Sequence, residues 1–328
     1  MNFSVLEICA GAGGQAIGLE HAGFELAAAV EIDANACRTL RENRPQWQII
    51  EGDIRDFNGK DFRGIDLLAG GVPCPPFSVA GKQLGENDER DLFPEAIRLV
   101  REARPVAVML ENVPGFASAK FSQYREDVLD HLTDLGYDSD WQILNASAFG
   151  VPQLRPRFIL VAMKRQYAGS FNWPSPLPHP PTVGEAIGDL MASRGWRGAH
   201  KWIHIAAGIA PTIVGGSKKH GGPDLGPTRA RHQWAMLGVD GLGIADEPPG
   251  PEFPINKKPR LTVGMVARLQ GFPDSWVITG LKTAAYRQLG NAFPPPVARE
   301  VGRAIREALE GVVAKPRLRQ SRLFEAVR

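Results

Sequence analysis

Two side chains in this sequence can make or break bonds, and both follow the same kind of segment. Cys74 lies in Gly70-Gly71-Val72-Pro73-Cys74-Pro75-Pro76-Phe77-Ser78, just after the apolar run Ile65–Ala69. Glu111 directly follows the apolar run Val106–Leu110. A short apolar run reads as a buried parallel strand. The carboxyl ends of such strands are where open α/β sheets bind ligands. Proline cannot donate to a ladder, so the Cys74 stretch is a loop leaving its strand. The two glycines before it are expected to turn the chain and admit a ligand. A thiol held rigidly there is placed for nucleophilic attack. A carboxylate stands on the same edge, and Arg155 and Arg157 of Gln153-Leu154-Arg155-Pro156-Arg157 lead into the strand Phe158–Met163.

A second set of residues suits a nucleotide-like ligand. The strand Ser4–Ile8 runs into Ala10-Gly11-Ala12-Gly13-Gly14 and then a helix through Ile17, Leu19 and Ala22, stopped by Gly23. A glycine turn at a helix N-terminus lets a ligand approach backbone N–H groups. The strand Glu25–Val30 ends at Glu31 and Asp33, where a carboxylate can accept both hydroxyls of a ribose. Gly11-x-Gly13-x-x-Ala16, with Glu31 roughly 20 residues on, also satisfies the dinucleotide fingerprint, so a nicotinamide cofactor stays allowed here. Gln48–Glu51 is a third strand, and Asp53 after it is a candidate partner for an adenine amino group.

The elements that position these residues form an α/β pattern. Helices are expected from about Leu92, with Phe93, Ile97 and Val100 on one face, and through Tyr124, Val128, Leu132 and Leu135, stopped by Gly136. With the strand Gln142–Leu144 they give a doubly wound, mostly parallel sheet with helices on both sides. The polar stretch Ser78–Asp91 suits a lid. Around Trp173 five prolines make a stiff connector, and from 166 to 260 periodicity is poor. Basic residues gather there in Lys218-Lys219, Arg229-Ala230-Arg231 and Lys257-Lys258-Pro259-Arg260, which are candidate phosphate contacts. Thr262 can cap a helix carrying Val263, Val266, Ala267 and Leu269. Gly290-Asn291-Ala292-Phe293-Pro294 opens a last helix striped by Val297, Val301, Ile305 and Leu309.

Composition bounds the rest. The chain has 328 residues, 43% of them hydrophobic, with a net charge of +2, so any nucleic-acid contact must use local charge. No apolar run is long enough for a bilayer, and Met1-Asn2-Phe3 leads directly into a strand. Its three cysteines show no CxxC spacing, which suggests a reducing compartment and no disulfide framework. His200 and His204 lack a further ligand at suitable spacing, so no metal site is expected.

Taken in order, Ala10-Gly11-Ala12-Gly13-Gly14, Glu31 with Asp33, Gly52-Asp53-Ile54, Pro73-Cys74, Glu111-Asn112-Val113, Gln153-x-Arg155-x-Arg157, Gln270-Gly271-Phe272-Pro273 and Gly290-Asn291 resemble the DNA (cytosine-5) methyltransferase family of the bacterial restriction–modification type. The resemblance covers the chain except about 170–255, where that family places its variable target-recognition region. Two positions depart from the pattern. Cys9 stands where an aromatic residue, usually Phe, precedes the glycine turn, and Pro75 replaces the usual Gln after the nucleophile.

The resemblance implies an S-adenosylmethionine-dependent, Rossmann-like fold. A catalytic and cofactor-binding domain would span 1–167 and 284–328, and a smaller irregular target-recognition domain 168–283. It implies methyl transfer to carbon 5 of a cytosine flipped out of duplex DNA, through a Cys74 adduct at carbon 6. Glu111, Arg155 and Arg157 would support the chemistry: Glu111 at N3, Arg157 at O2, and Arg155 supporting the loop or holding phosphate. Cys9, Ala10, Gly11, Gly13, Gly14, Glu31, Ile32, Asp53, Ile54, Gly71, Pro73, Asn291 and Ala292 would bind S-adenosyl-L-methionine. Ser78, Gln83, Lys218, Lys219, Arg229, Arg231, Lys257 and Lys258 would contact double-stranded DNA. A monomer in a prokaryotic cytoplasm, associated with the nucleoid and accompanied by a cognate restriction endonuclease, completes the expectation. An amino-methyltransferase fits less well, because a thiol is a poor acceptor for an amino group. A nicotinamide oxidoreductase gives no joint role to Cys74, Glu111 and the arginine pair, and an intact Cys and Glu argue against a DNA-binding module without catalysis. A tRNA cytosine methyltransferase shares the chemistry, and the long irregular second region favours DNA over it.

Overall fold

The computed structural model describes residues 2–73, 91–215 and 223–313. Cys74, Ser78, Gln83, Lys218 and Lys219 therefore lie outside the described residues, as does the expected lid up to residue 90.

Seven strands form one sheet: β1 (Phe3–Ile8), β2 (Phe24–Glu31), β3 (Ile49–Glu51), β4 (Leu67–Gly71), β5 (Ala107–Asn112), β6 (Tyr137–Asn145) and β7 (Pro156–Lys164). Their order is β3-β2-β1-β4-β5-β7-β6, and only β7 runs against its neighbours. The order reverses direction between β1 and β4, so a crevice opens at their carboxyl ends. Side-chain alternation sends Phe3 and Val5 to one face of the sheet and Leu6 and Ile8 to the other.

One face is covered by α1 (Gly14–His21) and by the last helix, and the other by α3 (Phe93–Ala103) and α4 (Ser122–Asp134). The first helix pair is tight because Gly18 has no side chain: a Cβ there would lie 2.4 Å from Pro295 O and 2.5 Å from Ala298 Cβ. Between them in sequence come α2 (Ala34–Asn43), capped by Asp33, then, after β7, α5 (Arg165–Ala168) and α6 (Val183–Ala192). Next are α7 (Ala199–Ile205), α8 (Thr228–Met236), α9 (Val263–Leu269), α10 (Lys282–Asn291) and α11 (Pro295–Val313). A single buried cluster joins Ala12, Ile17 and Leu40 of the first region to Trp202, Trp234 and Met265 of the second. No helix among the described residues is long and apolar enough to cross a membrane.

Four sequence expectations change. Gly70 and Gly71 do not turn the chain; they continue β4, paired with Leu110 and Glu111. Gly70 is needed for packing, since a Cβ would lie 2.5 Å from Ile8 Cγ1. Glu111 and Asn112 likewise belong to β5 and do not follow it. The stretch 166–260, read as poorly periodic, holds α6, α7 and α8, and Asn291 ends α10 while the last helix starts at Pro295.

Candidate active site

The glycine turn after β1 is shaped by its neighbours on every side. Gly11 and Gly13 adopt left-handed backbone (φ 55° and 86°), and Cys9 does so as well (φ 52°) without being glycine. Gly11 is open to the crevice, with nothing within 4 Å of where its Cβ would sit. Gly13 is packed underneath, where a Cβ would meet Leu40 and Trp276, and Trp276 Nε1 donates to Ala12 O (3.0 Å). Gly14 faces Phe293 O at 2.1 Å from its absent Cβ. Glu31, at the end of β2, accepts from Gly11 N and Asp33 N, both at 2.7 Å. Two amides fix this carboxylate and leave its remaining lone pairs facing the cleft. Asp53 accepts from Arg55 N at 3.0 Å.

These residues line one cleft of about 450 Å³, within the ~300–1,000 Å³ of small-molecule sites. Cys9, Ala10, Gly11, Glu31, Ile32, Asp53, Ile54, Gly71, Pro73, Asn291 and Ala292 border it, while Gly13 and Gly14 shape its wall from behind. Burial and the nearby carboxylates push the Cys9 thiol well up, so it stays protonated. Sequence reasoning missed Glu7, Gln15 and Arg287, which also border the cleft. Glu7 is 1% exposed and Gln15 3%, and their Oε2 and Nε2 atoms have no hydrogen-bond partner. Burial, reinforced by Glu31, raises the Glu7 carboxyl well above its ordinary value. A carboxylate interrupting Val5-Leu6-Glu7-Ile8 was the available signal.

Glu111 lies on β5, beyond β4 from Glu7. It is paired through Oε1 with Arg157 Nε at 2.8 Å, both side chains being 11% exposed. Its other oxygen lies over Gly71, 3.1 Å from where a Cβ would be, so a side chain there would push the carboxylate aside by a few tenths of an ångström. Burial pushes the Glu111 carboxyl up, and the two arginines offset this only in part. Asn112 Nδ2 donates to Val72 O at 2.8 Å, and Leu92 N donates to Pro73 O at 3.2 Å. Together these bonds fix both ends of the segment that carries Cys74.

Arg155 is not placed beside Arg157 in function. It is fully buried and donates to Ile213 O (2.6 Å), Gly290 O and Ala292 O (both 2.8 Å). A guanidinium committed to three carbonyls inside the protein cannot hold a phosphate, so of the two roles expected for it only support remains. Arg229, Lys257 and Lys258 are exposed and Arg231 half-buried.

An open sheet with one antiparallel strand, a glycine turn facing a carboxylate at adjoining strand ends and a buried Glu–Arg pair are the features of a Rossmann-like methyltransferase. Residues 3–307 match the family model described as C-5 cytosine-specific DNA methylase. The chain is 57% identical over 312 residues to the type II methyltransferase M.NaeI of Lentzea aerocolonigenes, covering 94% of this chain and 76% of that protein. It is 54% identical to M.NgoMIV of Neisseria gonorrhoeae over 94% of this chain and 99% of that one. In structure it is similar to a putative DNA modification methyltransferase encoded within an E. coli prophage, with a TM-score of 0.66 and 24% identity, over 96% of this chain and 100% of that one. A Spodoptera frugiperda DNMT2 variant aligns with a TM-score of 0.65 and 20% identity, over 93% and 99%. The chain belongs to the C-5 cytosine-specific DNA methylases and is an enzyme of that class.

Proposed function

We propose that the protein methylates carbon 5 of a cytosine flipped out of duplex DNA, using Cys74 as a transient nucleophile and S-adenosylmethionine as donor. The observation that carries this is the buried Glu111–Arg157 pair, 2.8 Å apart, beside a cleft whose polar lining suits an adenosine with an amino-acid tail. Glu31 would hold the ribose hydroxyls and Asp53 the adenine amino group. The orphaned Glu7 Oε2 and Gln15 Nε2 match the tail, one accepting from its ammonium and one donating to its carboxylate. Gly11 leaves the room that a side chain would take. Bound there, the donor supplies a methyl group made electrophilic by its sulfonium.

The chain's own residues do the remainder. Carbon 5 of cytosine is too weak a nucleophile unaided. The Cys74 thiolate forms a bond to carbon 6, and the ring's electron pair moves toward carbon 5 and N3. Glu111, whose carboxyl burial pushes up toward its protonated form, would donate to N3, and Arg157 would donate to O2 as charge grows there. Carbon 5 takes the methyl group. A base removes the carbon 5 proton, the sulfur–carbon bond breaks, and the pair returns to Cys74. Flipping costs a few kcal/mol, offset by backbone contacts. In this reading 168–283 carries target recognition, Arg229, Arg231, Lys257 and Lys258 meet phosphates, and a restriction endonuclease cuts the same site unmethylated.

Labelled S-adenosylmethionine, plasmid DNA and mapping of 5-methylcytosine test the activity. With 5-fluorocytosine at the mapped site and donor present, the duplex should become covalently attached through Cys74. Cys74→Ala should bind duplex yet transfer no methyl group; transfer at the native rate in that variant would mean another nucleophile.

A further inference from the structure

Helix α10 touches the donor cleft and the recognition region at once. Arg287, Gln288 and Asn291 of its last turns border the cleft, followed by Ala292 and Phe293. The same helix seats the chain on both sides of 216–222, a segment outside the described residues. On one side Gly215 lies flat against Gly290: a Cβ on Gly290 would be 2.3 Å from Gly215 Cα, and one on Gly215 would be 2.3 Å from Asn291 Oδ1. On the other side Tyr286 Oη donates to Asp224 O at 2.6 Å.

Buried polar groups lock this junction. Arg155 bonds Ile213 O together with Gly290 O and Ala292 O, so one guanidinium ties the segment before 216 to the cleft wall. Gln153 Oε1 accepts from Ile213 N (2.8 Å), and its Nε2 donates to Gln270 Oε1 (3.0 Å) and Leu269 O (3.2 Å). Gln270 Nε2 then donates to Leu289 O at 2.5 Å. Each of these groups is wholly buried, so a displaced partner would leave a desolvated polar atom. Packed backbone at van der Waals contact transmits displacement and does not absorb it.

We propose that α10 is a shared seat through which occupancy of the donor cleft orders the recognition region, with Arg155 as the positioning residue and the Gly215–Gly290 contact as the route. This rests on the donor reading of the cleft. A ligand that holds Asn291 and Ala292 in place thereby fixes Gly215 and Asp224, lowering the ordering cost that DNA must otherwise meet.

Hydrogen exchange on the full chain, without DNA, tests it with S-adenosylhomocysteine as the probe and calorimetry as the binding check. At saturation, amides in 28–36 should be protected directly. Amides in 210–215 and 224–226 should also exchange at least about tenfold more slowly. In Gly215→Ala, and in Tyr286→Phe, the probe should still bind and protect 28–36, while protection at 224–226 is lost. Binding with protection confined to 28–36 in the native chain overturns this proposal alone. Absence of binding overturns the donor reading and this proposal with it. Protection at 224–226 surviving in both variants overturns the assigned route.

Discussion

Glu7 on β1 and Glu111 on β5 face the same side of the sheet with β4 between them, and burial raises both, but only Glu111 has an arginine beside it. Their substitutions should therefore behave oppositely. Glu111→Gln keeps the shape and removes the proton donor, so kcat should fall by about 10²–10⁴ with the melting temperature little changed. Glu7 carries an unpartnered oxygen and a folded-state pKa above its unfolded one. Its contribution to stability is full below the ordinary glutamate value of about 4.3 and is lost as pH rises through the raised value. Glu7→Gln should erase that loss: without ligand, its melting temperature should exceed the native one increasingly from acid toward neutral pH. Donor affinity should move the other way, weakening by about 1.5–3 kcal/mol for a lost charged hydrogen bond. Thermal scans across pH and calorimetry read the two effects separately. At this scale the sequence disclosed Glu31, Asp53 and Glu111, because a carboxylate at a strand end is conspicuous. It hid Arg155's true partners, since carbonyls of Ile213, Gly290 and Ala292 leave no mark in side-chain pattern.

Among the elements, α1 and α11 show how little space the fold leaves. The stripe Val297, Val301, Ile305 and Leu309 is buried as its spacing predicts. It approaches α1 because Gly18, and Gly302 across from Leu19 and Ala22, lack a Cβ. Gly18→Ala should cost about 1–3 kcal/mol by overpacking, despite alanine's better helix propensity, and denaturant unfolding will show it. The strands and the helices with one clear apolar face were legible, because burial on a sheet imposes period. Helix α6 was not found, although Thr182 and Glu185 form a reciprocal capping box (Thr182 N to Glu185 Oε2 2.8 Å, Glu185 N to Thr182 Oγ1 3.2 Å). Prolines just before it drew the eye to a connector. Gly70-Gly71 reads as a turn, but β-sheet packing against Ile8 requires the first glycine, and the second leaves close room for Glu111's carboxylate.

For the whole molecule, a net charge of +2 says little, but Arg229, Lys257 and Lys258 are exposed in the region between the sheet and the last helix. Duplex affinity should fall steeply with salt, and each of these replaced by Gln should reduce the log–log slope by about 1. An unaltered slope in the triple variant, measured by anisotropy titration, would remove them as phosphate contacts. The buried cluster that binds the first region to the second explains why composition marked a boundary near Trp173 while packing crosses it. The cleft takes its strands from residues before 112 but part of its wall from Arg287 to Phe293, and α1 is covered by α11. During synthesis the sheet can leave the ribosome with its ligand crevice still missing a side. The crevice gains that side only once Arg287 to Phe293 have been made and folded back against the strands.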